Sequence, residues 1–300
     1  MKLQKYKKKI DKTKNTVALP RIRYKMKVVE TISNLNTELL KYTNKSIGFV
    51  PTMGSLHEGH LSLINYAQIK SEIVIVSIFV NPTQFNDPSD FKNYPSNHRK
   101  DLDKLSKEKV DIVFIPKSVN EIYANEKPLN ISLDGIDEVM EGKYRKGHFD
   151  GVVRVVSLLF SIVRPQFAFF GEKDFQQLLI IKSMAKKHFK SIEVIGCPTK
   201  RDKNGLALSS RNLLLNEDDQ KKAINLIKIL KHCKSLFNNY DNTKLEKDSF
   251  EKLKDFSIPE YFEIRETSFL KRIKDKKTKQ RAFVAAKIGN IRLIDNIELN

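Results

Sequence analysis

Two histidines in a glycine-rich stretch are the side chains of this sequence best suited to chemistry. The stretch follows a short apolar run, precedes a helical pattern and reads Pro51-Thr52-Met53-Gly54-Ser55-Leu56-His57-Glu58-Gly59-His60. A helix N-terminus presents free N–H groups and a positive dipole to phosphate, and glycine lets the backbone approach a ligand. His57 and His60 can therefore face one pocket, donate to phosphate oxygens and stabilise a pentavalent transition state by charge. A helix-capping turn or a metal-binding histidine pair is the alternative, but the strand–turn–helix context favours a nucleotide site.

A second polar string, Gly171-Glu172-Lys173-Asp174, also lies between an apolar run and a helical pattern. Lys173 is a movable point charge that suits a triphosphate. Asp174 could cap the following helix, accept a hydrogen bond from a ribose hydroxyl, or orient Mg²⁺. One of the two glutamines that begin the helix, Gln176 or Gln177, is expected to face the site.

Two weaker strings complete the set. Ser209, Ser210 and Arg211 combine two hydroxyls with a guanidinium and could clamp a polyanion, although Ser-Ser-Arg is also common at a helix start. The string Asn81-Pro82-Thr83-Gln84-Phe85 offers amides to a small substrate, or simply forms a turn. Three of the four strings directly follow predicted strands, so we expect them to meet at one sheet edge. The P-loop and dinucleotide-binding motifs are both absent from the sequence.

The elements that must position these residues alternate along the chain. Strands are predicted over 47–50, 73–80, 111–115, 167–170 and 191–196, and helices over 60–70, 96–109, 152–163 and 175–189. Such alternation predicts an α/β fold, a Rossmann-like parallel sheet with helices on both faces. After about residue 200 a helix over 223–237 and short apolar runs over 261–264, 282–288 and 291–294 predict a smaller α+β domain.

The composition excludes several classes of protein. With 40% apolar residues among 300, the chain can build a core. Cys197 and Cys233 cannot form a disulfide scaffold, so we expect a reducing compartment. The longest uncharged apolar stretch, residues 73–85, is too short to span a bilayer, so no membrane association is expected. The net charge is +19, but only 12 of the 55 basic residues are arginine, the residue that nucleic-acid surfaces favour, so no nucleic-acid partner is expected.

Residues 1–25 carry a large share of the excess charge, with ten basic residues and one acidic residue. They contain no apolar core of a secretory signal. We expect a disordered extension, or a true start at Met26 rather than Met1. Organelle targeting and attraction to nucleic acid or a membrane surface are the alternatives.

Taken together, the motifs resemble one enzyme family. The strings PTMGSLHEGH, VSIFVNPTQF, GHFDGVVRVV, FFGEKDFQQL, GLALSSRN and RLIDN occur in order between residues 26 and 297. They resemble the pantothenate synthetase (pantoate–β-alanine ligase) family, which belongs to the nucleotidyltransferase superfamily and shares an H-x-G-H motif with class I tRNA synthetases. The resemblance implies a nucleotidylyltransferase-type domain over 26–199 that binds ATP and pantoate, and a lid or dimer-associated domain over 200–300.

The resemblance also implies an activity. A cytoplasmic homodimer would condense (R)-pantoate with β-alanine and ATP, through a pantoyl adenylate, to pantothenate, AMP and pyrophosphate. Mg²⁺ would accompany ATP, with no protein metal site and no tightly bound organic cofactor.

The resemblance assigns roles to matched residues. The catalytic set would be His57, His60, Lys173 and Arg211, with His60 as proton donor. Pantoate and β-alanine would contact Asn81, Gln84, Tyr94 and Gln177. ATP would contact Met53, Gly54, Ser55, Leu56, His57, Glu58, Gly59, His60, Gly171, Glu172, Lys173, Asp174, Lys200, Leu208, Ser209, Ser210 and Arg211. Arg145 and His148 match a further basic pair at the pocket border.

Three departures from the family pattern fall outside the catalytic set. Lys200 stands where an apolar residue usually lies beside adenine, and a contact through its backbone would tolerate the change. Asn204 replaces a frequent Asp and suits a turn equally well, and Leu208 is an accepted variant.

Proteins of other classes fit the motifs less well. Another H-x-G-H nucleotidyltransferase would not be expected to carry both NPTQF and GEKDFQQL. A tRNA synthetase fragment would need an anticodon-binding region, and the roughly 100 residues after Ser-Ser-Arg leave little room for one. A basic RNA-binding module would cluster arginines and aromatics on one face. An intact motif set argues against a catalytically dead relative.

Overall fold

The structure, a computed structural model, describes residues 26–86, 88–124 and 131–300. The predictions for residues 1–25 lie outside the described residues. Six strands form one sheet in the order β1-β4-β3-β2-β5-β6, and every neighbouring pair is parallel. These strands are β1 (Lys27–Val29), β2 (Ile47–Thr52), β3 (Ile73–Ile78), β4 (Ile112–Phe114), β5 (Phe167–Gly171) and β6 (Glu193–Cys197).

Ten α-helices accompany the strands in the described residues. They are α1 (Ile32–Leu39), α2 (Glu58–Lys70), α3 (Pro88–Lys92), α4 (His98–Lys107), α5 (Val119–Tyr123), α6 (Glu141–Tyr144), α7 (His148–Val163), α8 (Phe175–His188), α9 (Glu217–Leu236) and α10 (Asn242–Leu253).

Both faces of the sheet are buried, which explains the continuous apolar strands. Along β3, Ile73 and Ile75 pack in one hydrophobic cluster with α1, α7 and α8. Val74 and Val76 point to the opposite face and pack with α2 and α4. All four side chains are at most 3% exposed. Each such burial contributes roughly 1.5–3 kcal/mol. A one-residue slip of the strand would turn every one of these side chains to the opposite face and disrupt the packing on both.

The strand order places a topological switch point between β2 and β5. The chain proceeds from β2 to β3 on one side of this point and from β5 to β6 on the other. In open parallel sheets the connections diverge there and leave a crevice beyond the carboxyl ends of the strands. The H-x-G-H string follows β2 and Gly171–Asp174 follows β5, so both flank this crevice.

A smaller antiparallel sheet follows, built from β7 (Ile258–Glu266), β8 (Gln280–Ile288) and β9 (Ile291–Glu298). One face packs on α9 and α10. The other face contributes Tyr261 and Phe283 to the cluster beneath the large sheet, where the Phe283 ring lies 5.9 Å from that of Phe175. The division into domains at residue 200 stays a prediction, because this cluster is shared.

The predicted fold class is confirmed, and the predicted elements are all present with shifted ends. The sequence patterns did not predict β1, α1 or α10, nor the short helices α3, α5 and α6. Strand β1 is three residues long and two of them are exposed, so it shows neither alternation nor an apolar run. Helix α10 is mostly polar, and four of its twelve residues are buried. No helix in the described part of the chain is long and apolar enough to cross a membrane.

Candidate active site

The four polar strings meet around one open cavity of about 240 Å³ at the switch point. All four predicted catalytic side chains line it. The predicted site residues on its wall are Met53, His57, Gly59, His60, Asn81, Gln84, Tyr94, Gly171, Lys173, Asp174, Gln177, Lys200, Leu208, Ser209, Ser210 and Arg211.

The H-x-G-H turn both caps the N-terminus of α2 and lines the cavity. His57 is the N-cap residue, and its Nδ1 accepts the N–H of Gly59 at 3.1 Å. The Nδ1 of His60 accepts the N–H of His57 at 3.3 Å, which completes a capping box. Because each Nδ1 accepts, the neutral tautomer of each ring carries its proton on Nε2. The two rings lie 4.1 Å apart and present Nε2–H groups as donors.

Both histidines of the turn have a lowered pKa, which favours the neutral imidazole near pH 7. Burial, followed by the charges of Lys173 and Lys104, lowers the pKa of His57 to about 4. Burial, followed by its histidine neighbour and the same lysines, holds the pKa of His60 well below its ordinary value. The lowered pKa values favour neutral hydrogen-bond donation over the predicted stabilisation by histidine charge, because an imidazolium pair would be desolvated beside two cations. The role of the two histidines toward phosphate stays a prediction. Among the described residues no cluster of three or more metal-ligating side chains occurs.

The loop after β3 holds Gln84 at the cavity through Asn81. The Asn81 amide donates to Gln84 Oε1 and to the carbonyl of Gly151, both at 3.1 Å. Its Oδ1 accepts from the Tyr123 hydroxyl at 2.7 Å and from Thr83. A Cβ on Gly151 would lie 2.4 Å from the Thr83 carbonyl oxygen, so only glycine permits this approach of α7. Asn81 reaches the cavity wall, but its polar atoms are already bonded within the loop.

The string after β5 places two opposite charges on the cavity wall. Lys173 Nζ lies 3.7 Å from Asp174 Oδ1. Asp174 occupies the N-cap position of α8, yet its side chain makes no capping hydrogen bond to any residue that the structure describes. Helix capping therefore does not account for Asp174, and its carboxylate faces the cavity. Of the two glutamines, Gln177 lines the cavity, while Gln176 is buried and holds the backbone around Glu141.

The Ser-Ser-Arg string combines a capping residue with a cavity cation. The Ser209 hydroxyl accepts the N–H of Arg211 at 3.3 Å, and Ser210 donates to the carbonyl of Ser55 at 3.1 Å. Arg211 lines the cavity with its guanidinium 2.8 Å from Asp90 and over the ring of Tyr94. The carbonyl of Lys200 accepts the N–H of Leu208 at 3.0 Å, while the Lys200 side chain is exposed.

Five predicted ATP contacts lie off the cavity wall as the described residues form it: Gly54, Ser55, Leu56, Glu58 and Glu172. The N–H groups of Ser55 and Leu56 donate to the carboxylate of Asp101 instead. Glu58 is exposed, and Glu172 lies 3.4 Å from the Arg281 guanidinium of the small sheet. Their contacts with ATP stay predictions that this arrangement does not support directly.

The sequence patterns missed the apolar wall of the cavity. Its members come from the strand ends, from α2 and from one side of α7, and they are Leu63, Phe79, Val152, Val155, Val156, Leu159, Phe169 and Phe170. The apolar run over 152–163 did predict a helix. Nothing in the run shows which of its residues face a ligand, because α7 is buried almost all around.

A buried ionic network links this wall to the small sheet. Arg292 on β9 donates to both carboxylate oxygens of Glu141 at 2.7 Å, and Tyr261 donates to the same carboxylate. Arg145 lies 3.5 Å from Glu141 and donates to Nε2 of His148 at 3.1 Å. The Nδ1–H of His148 in turn donates to the carbonyl of Gln84 at 2.8 Å. Through this chain of contacts, the sequence string RLIDN helps to hold the Gln84 loop.

The same string supports the loop after β5. Asn296 donates to the carbonyls of Glu172 and Lys173 at 3.0 and 2.8 Å. Asp295 accepts both Nη groups of Arg201 at 2.6 and 2.8 Å. Asn296 therefore holds the backbone that follows β5. Asp295 holds Arg201, which is next in sequence to the cavity residue Lys200.

Glu141 is expected to make stability depend on pH. Burial alone raises the pKa of Glu141, but the hydrogen bonds and charge of Arg292, with Arg145 and Tyr261, lower it to about 2. Because this pKa lies below that of the unfolded chain, its contribution of about 3 kcal/mol is complete above pH 4.5 and is lost as the pH falls toward 2. Urea unfolding of wild type and Glu141→Gln should therefore give a free-energy difference that shrinks from pH 6 to pH 3.

The matched control for this prediction is Glu251→Gln, which removes an exposed carboxylate on α10. Its effect on the free energy of unfolding should be small at every pH. A Glu141→Gln effect that is equal at pH 6 and pH 3 would contradict the assignment.

The fold and the cavity together define a class of protein. A parallel α/β sheet with an H-x-G-H turn at its switch point, and Lys173 and Arg211 on the same cavity, defines an α/β protein with a cavity suited to a phosphate-bearing substrate. The pantoate-beta-alanine ligase family model matches residues 27–298. The chain belongs to the pantoate–β-alanine ligase family and is a ligase, as the sequence resemblance predicted.

Relatives and solved structures agree with this membership. The pantothenate synthetase of Christiangramia forsetii is 45% identical over 267 residues, which cover 87% of this chain and 94% of that protein. The pantothenate synthetase of Buchnera aphidicola from Acyrthosiphon pisum is 44% identical over 280 residues, which cover 90% of this chain and 98% of that protein.

Among solved structures, pantothenate synthetase from Thermus thermophilus has a TM-score of 0.85 at 35% identity and covers 91% and 99% of the two chains. The Francisella tularensis ligase, complexed with beta-gamma ATP and beta-alanine, has a TM-score of 0.78 at 36% identity, with 91% and 98% covered.

Proposed function

We propose that the enzyme condenses (R)-pantoate with β-alanine at the expense of ATP, giving pantothenate, AMP and pyrophosphate through a pantoyl adenylate. One observation carries the proposal. The H-x-G-H turn, the side chains of Gln84 and Gln177 and the apolar wall all line the same cavity. A nucleotide and a small branched acid can therefore lie side by side, as adenylation requires.

ATP would lie along the H-x-G-H side. The Nε2–H groups of His57 and His60, with Lys173 and Arg211, supply donors and positive charge for the phosphates. Lys200 and the residues from Leu208 to Arg211 line the cavity beside this turn, where adenine would lie next to Lys200 and Leu208. We assign residues 200–300 the role of a lid domain on this basis. Mg²⁺ would be held by the phosphate oxygens of ATP, with the Asp174 carboxylate nearby, and would neutralise phosphate charge.

Pantoate would occupy the apolar hollow. Its branched carbon skeleton suits the valines of α7 and Phe170, because apolar surface gains by leaving water. The side chains of Gln84 and Gln177 would bind its hydroxyl and carboxylate oxygens. Gln84 has its Oε1 bonded to Asn81 and its Nε2 3.0 Å from Met53 Sδ, so its amide plane is held in place. Tyr94 would cover the substrates, with Arg211 against its ring.

In the first step a carboxylate oxygen of pantoate attacks the α-phosphorus of ATP. A carboxylate O–P bond forms, the bond to the β-phosphate bridging oxygen breaks, and pyrophosphate leaves with the electron pair. This displacement needs in-line positioning and neutralisation of charge more than covalent help from the protein. The Nε2–H of His60 donates to the phosphate as negative charge develops, while Lys173 and Arg211 supply the positive charge.

In the second step the β-alanine amine attacks the acyl carbon and a C–N bond forms. The bond from that carbon to the phosphate oxygen breaks, AMP leaves with the electron pair, and the amine gives up one proton to water. The amine must arrive neutral, because a protonated amine has no electron pair to offer. Among the described cavity residues, the three histidines have their lone-pair nitrogens engaged: His57 and His60 by backbone N–H groups and His148 by Arg145. These histidines are therefore not placed to take a proton from the amine, so β-alanine would enter as the free amine, and the apolar wall would protect the adenylate from water.

The assembly and location of the enzyme are part of the proposal. We propose a homodimer, as the family resemblance implies, and sedimentation at micromolar concentration would show a species of twice 34.7 kDa. We also propose a cytoplasmic location, supported by two free cysteine thiols, both buried, which suit a reducing compartment.

The function is tested by AMP release with ATP, Mg²⁺, pantoate and β-alanine, each omitted in turn. AMP should appear at substantial rate only when all four are present. Exchange of labelled pyrophosphate into ATP should need pantoate but not β-alanine, because it reports the first step alone. A folded enzyme that exchanges pyrophosphate only with another acid or nucleotide would establish a different H-x-G-H nucleotidyltransferase instead.

A further inference from the structure

The turn that leads into the H-x-G-H motif has a strained backbone. Gly54 has φ of +81° and Ser55 has φ of +50°, so two successive residues adopt the left-handed conformation. Glycine adopts this conformation freely, whereas serine does so at a cost. Something other than local preference must therefore hold the turn just before His57.

The group that holds it is a buried carboxylate about 45 residues further along the chain. Asp101, in the first turn of α4, is 2% exposed. Its Oδ2 accepts the N–H of Ser55 at 2.8 Å, and its Oδ1 accepts the N–H of Leu56 at 2.7 Å. A Cβ on Gly54 would lie 3.1 Å from Oδ2, so glycine also leaves room for the carboxylate.

Two further contacts complete the hold on the turn. Lys104, one helical turn beyond Asp101, donates through Nζ to the carbonyl of Leu56. The hydroxyl of Ser210 donates to the carbonyl of Ser55 at 3.1 Å. The turn thus connects α4, the H-x-G-H motif and the Ser-Ser-Arg string. Asp101 itself is absent from the cavity wall that the described residues form.

We propose that Asp101 is a positioning residue for adenylate formation, which rests on the proposed function. By accepting two consecutive N–H groups, its carboxylate sets the orientation in which α2 begins and hence the direction of the His57 and His60 Nε2–H donors. These donors act on the phosphates, which take part in the first step. Attack of β-alanine on a formed adenylate releases AMP and needs no pyrophosphate site, so it should depend little on Asp101.

The test is Asp101→Asn, which keeps the shape of the side chain. It replaces one of the two acceptor oxygens by an NH₂ group, a donor that would face a backbone N–H group. Pyrophosphate exchange should slow about 10²-fold, because displacement of catalytic groups by about 1 Å costs that much. Synthetic pantoyl adenylate should react with β-alanine at the wild-type rate on the same enzyme. The matched control is Asp103→Asn, an exposed carboxylate on the same helix, which should change neither rate.

A double-mutant cycle separates positioning from general loss of structure. If Asp101 acts through the turn, Asp101→Asn should slow exchange far less in a His60→Ala background than in wild type. Equal slowing of both half-reactions, or additive effects with His60→Ala, would overturn the proposal. Absence of both half-reactions in folded wild type would instead refute the proposed function.

A second variant covers the case in which Asp101→Asn does not fold. Lys104→Met removes the hydrogen bond to the Leu56 carbonyl. Because the Lys104 side chain is exposed, the fold should survive the substitution. It should slow exchange severalfold and leave the second half-reaction unchanged. Unchanged exchange in Lys104→Met, together with misfolding of Asp101→Asn, would make Asp101 a residue of the fold alone and overturn the proposal.

Discussion

Replacement of His60 by alanine is expected to slow pantoyl adenylate formation about 10³-fold, the loss typical for one preorganised donor to a developing charge. The substitution removes two functions of the imidazole ring. Its Nδ1 accepts the N–H of His57 and completes the capping box, and its Nε2–H is the proposed donor to the phosphates. The measurement is pantoate-dependent exchange of pyrophosphate into ATP, with thermal unfolding recorded on the same samples.

His60→Asn separates these two functions. Asparagine can place its side-chain oxygen near the position of Nδ1 and keep the cap, but it cannot reach the phosphate. We therefore expect His60→Asn to unfold near the wild-type temperature and to exchange about as slowly as His60→Ala. Near-wild-type exchange by His60→Asn would mean that capping, rather than donation to phosphate, is the contribution of this residue.

Replacement of Lys173 by methionine is expected to reduce exchange by roughly 10³-fold, the lower end for a cation that neutralises a phosphoryl transition state. The ammonium is held only loosely by protein, 3.7 Å from Asp174, so its removal should change stability little. The matched control is Lys182→Met, an exposed lysine on α8 that should leave exchange unchanged. Exchange within a few-fold of wild type in Lys173→Met would remove this residue from the mechanism.

Lys173→Met has a second readout that does not depend on turnover. Lys173 contributes, after burial, to the low pKa of His57, and it also lowers that of His60. Loss of this cation should raise both pKa values, although burial should still hold them below the ordinary histidine value of about 6.5. Titration of the imidazole ring signals by NMR would measure the change. A His57 pKa unchanged from that of the wild type would show that the ammonium lies away from the turn.

Much of the fold could be predicted because its signals are local. The β-branched run of β3 and the helical spacing of α2 and α8 lie within single windows of sequence, and their alternation implies a parallel sheet. Strand β1 escaped prediction because its stability comes from pairing with β4 rather than from its own three residues. Helix α10 escaped because its buried side chains are few.

The candidate site was predictable in part for the same reason. His57, Lys173 and Ser209 stand in strings whose residue types identify them without any knowledge of neighbours. Asp101 gave no such signal, since a carboxylate on a polar helix usually faces water. The charge state of His57 and His60 was also beyond the sequence, because it depends on burial and on Lys104 and Lys173, which approach from other elements.

The sequence by itself determined the family, the parallel α/β architecture and the motifs that carry chemistry, because each resides in a contiguous string or a short-range period. Only the tertiary structure decided how the strings are held. Glu141 meets Arg292 across 151 residues, and Asp101 meets Ser55 across 46. Such contacts form only when the sheets and helices pack, and the burial that results lowers the pKa of His57 and His60.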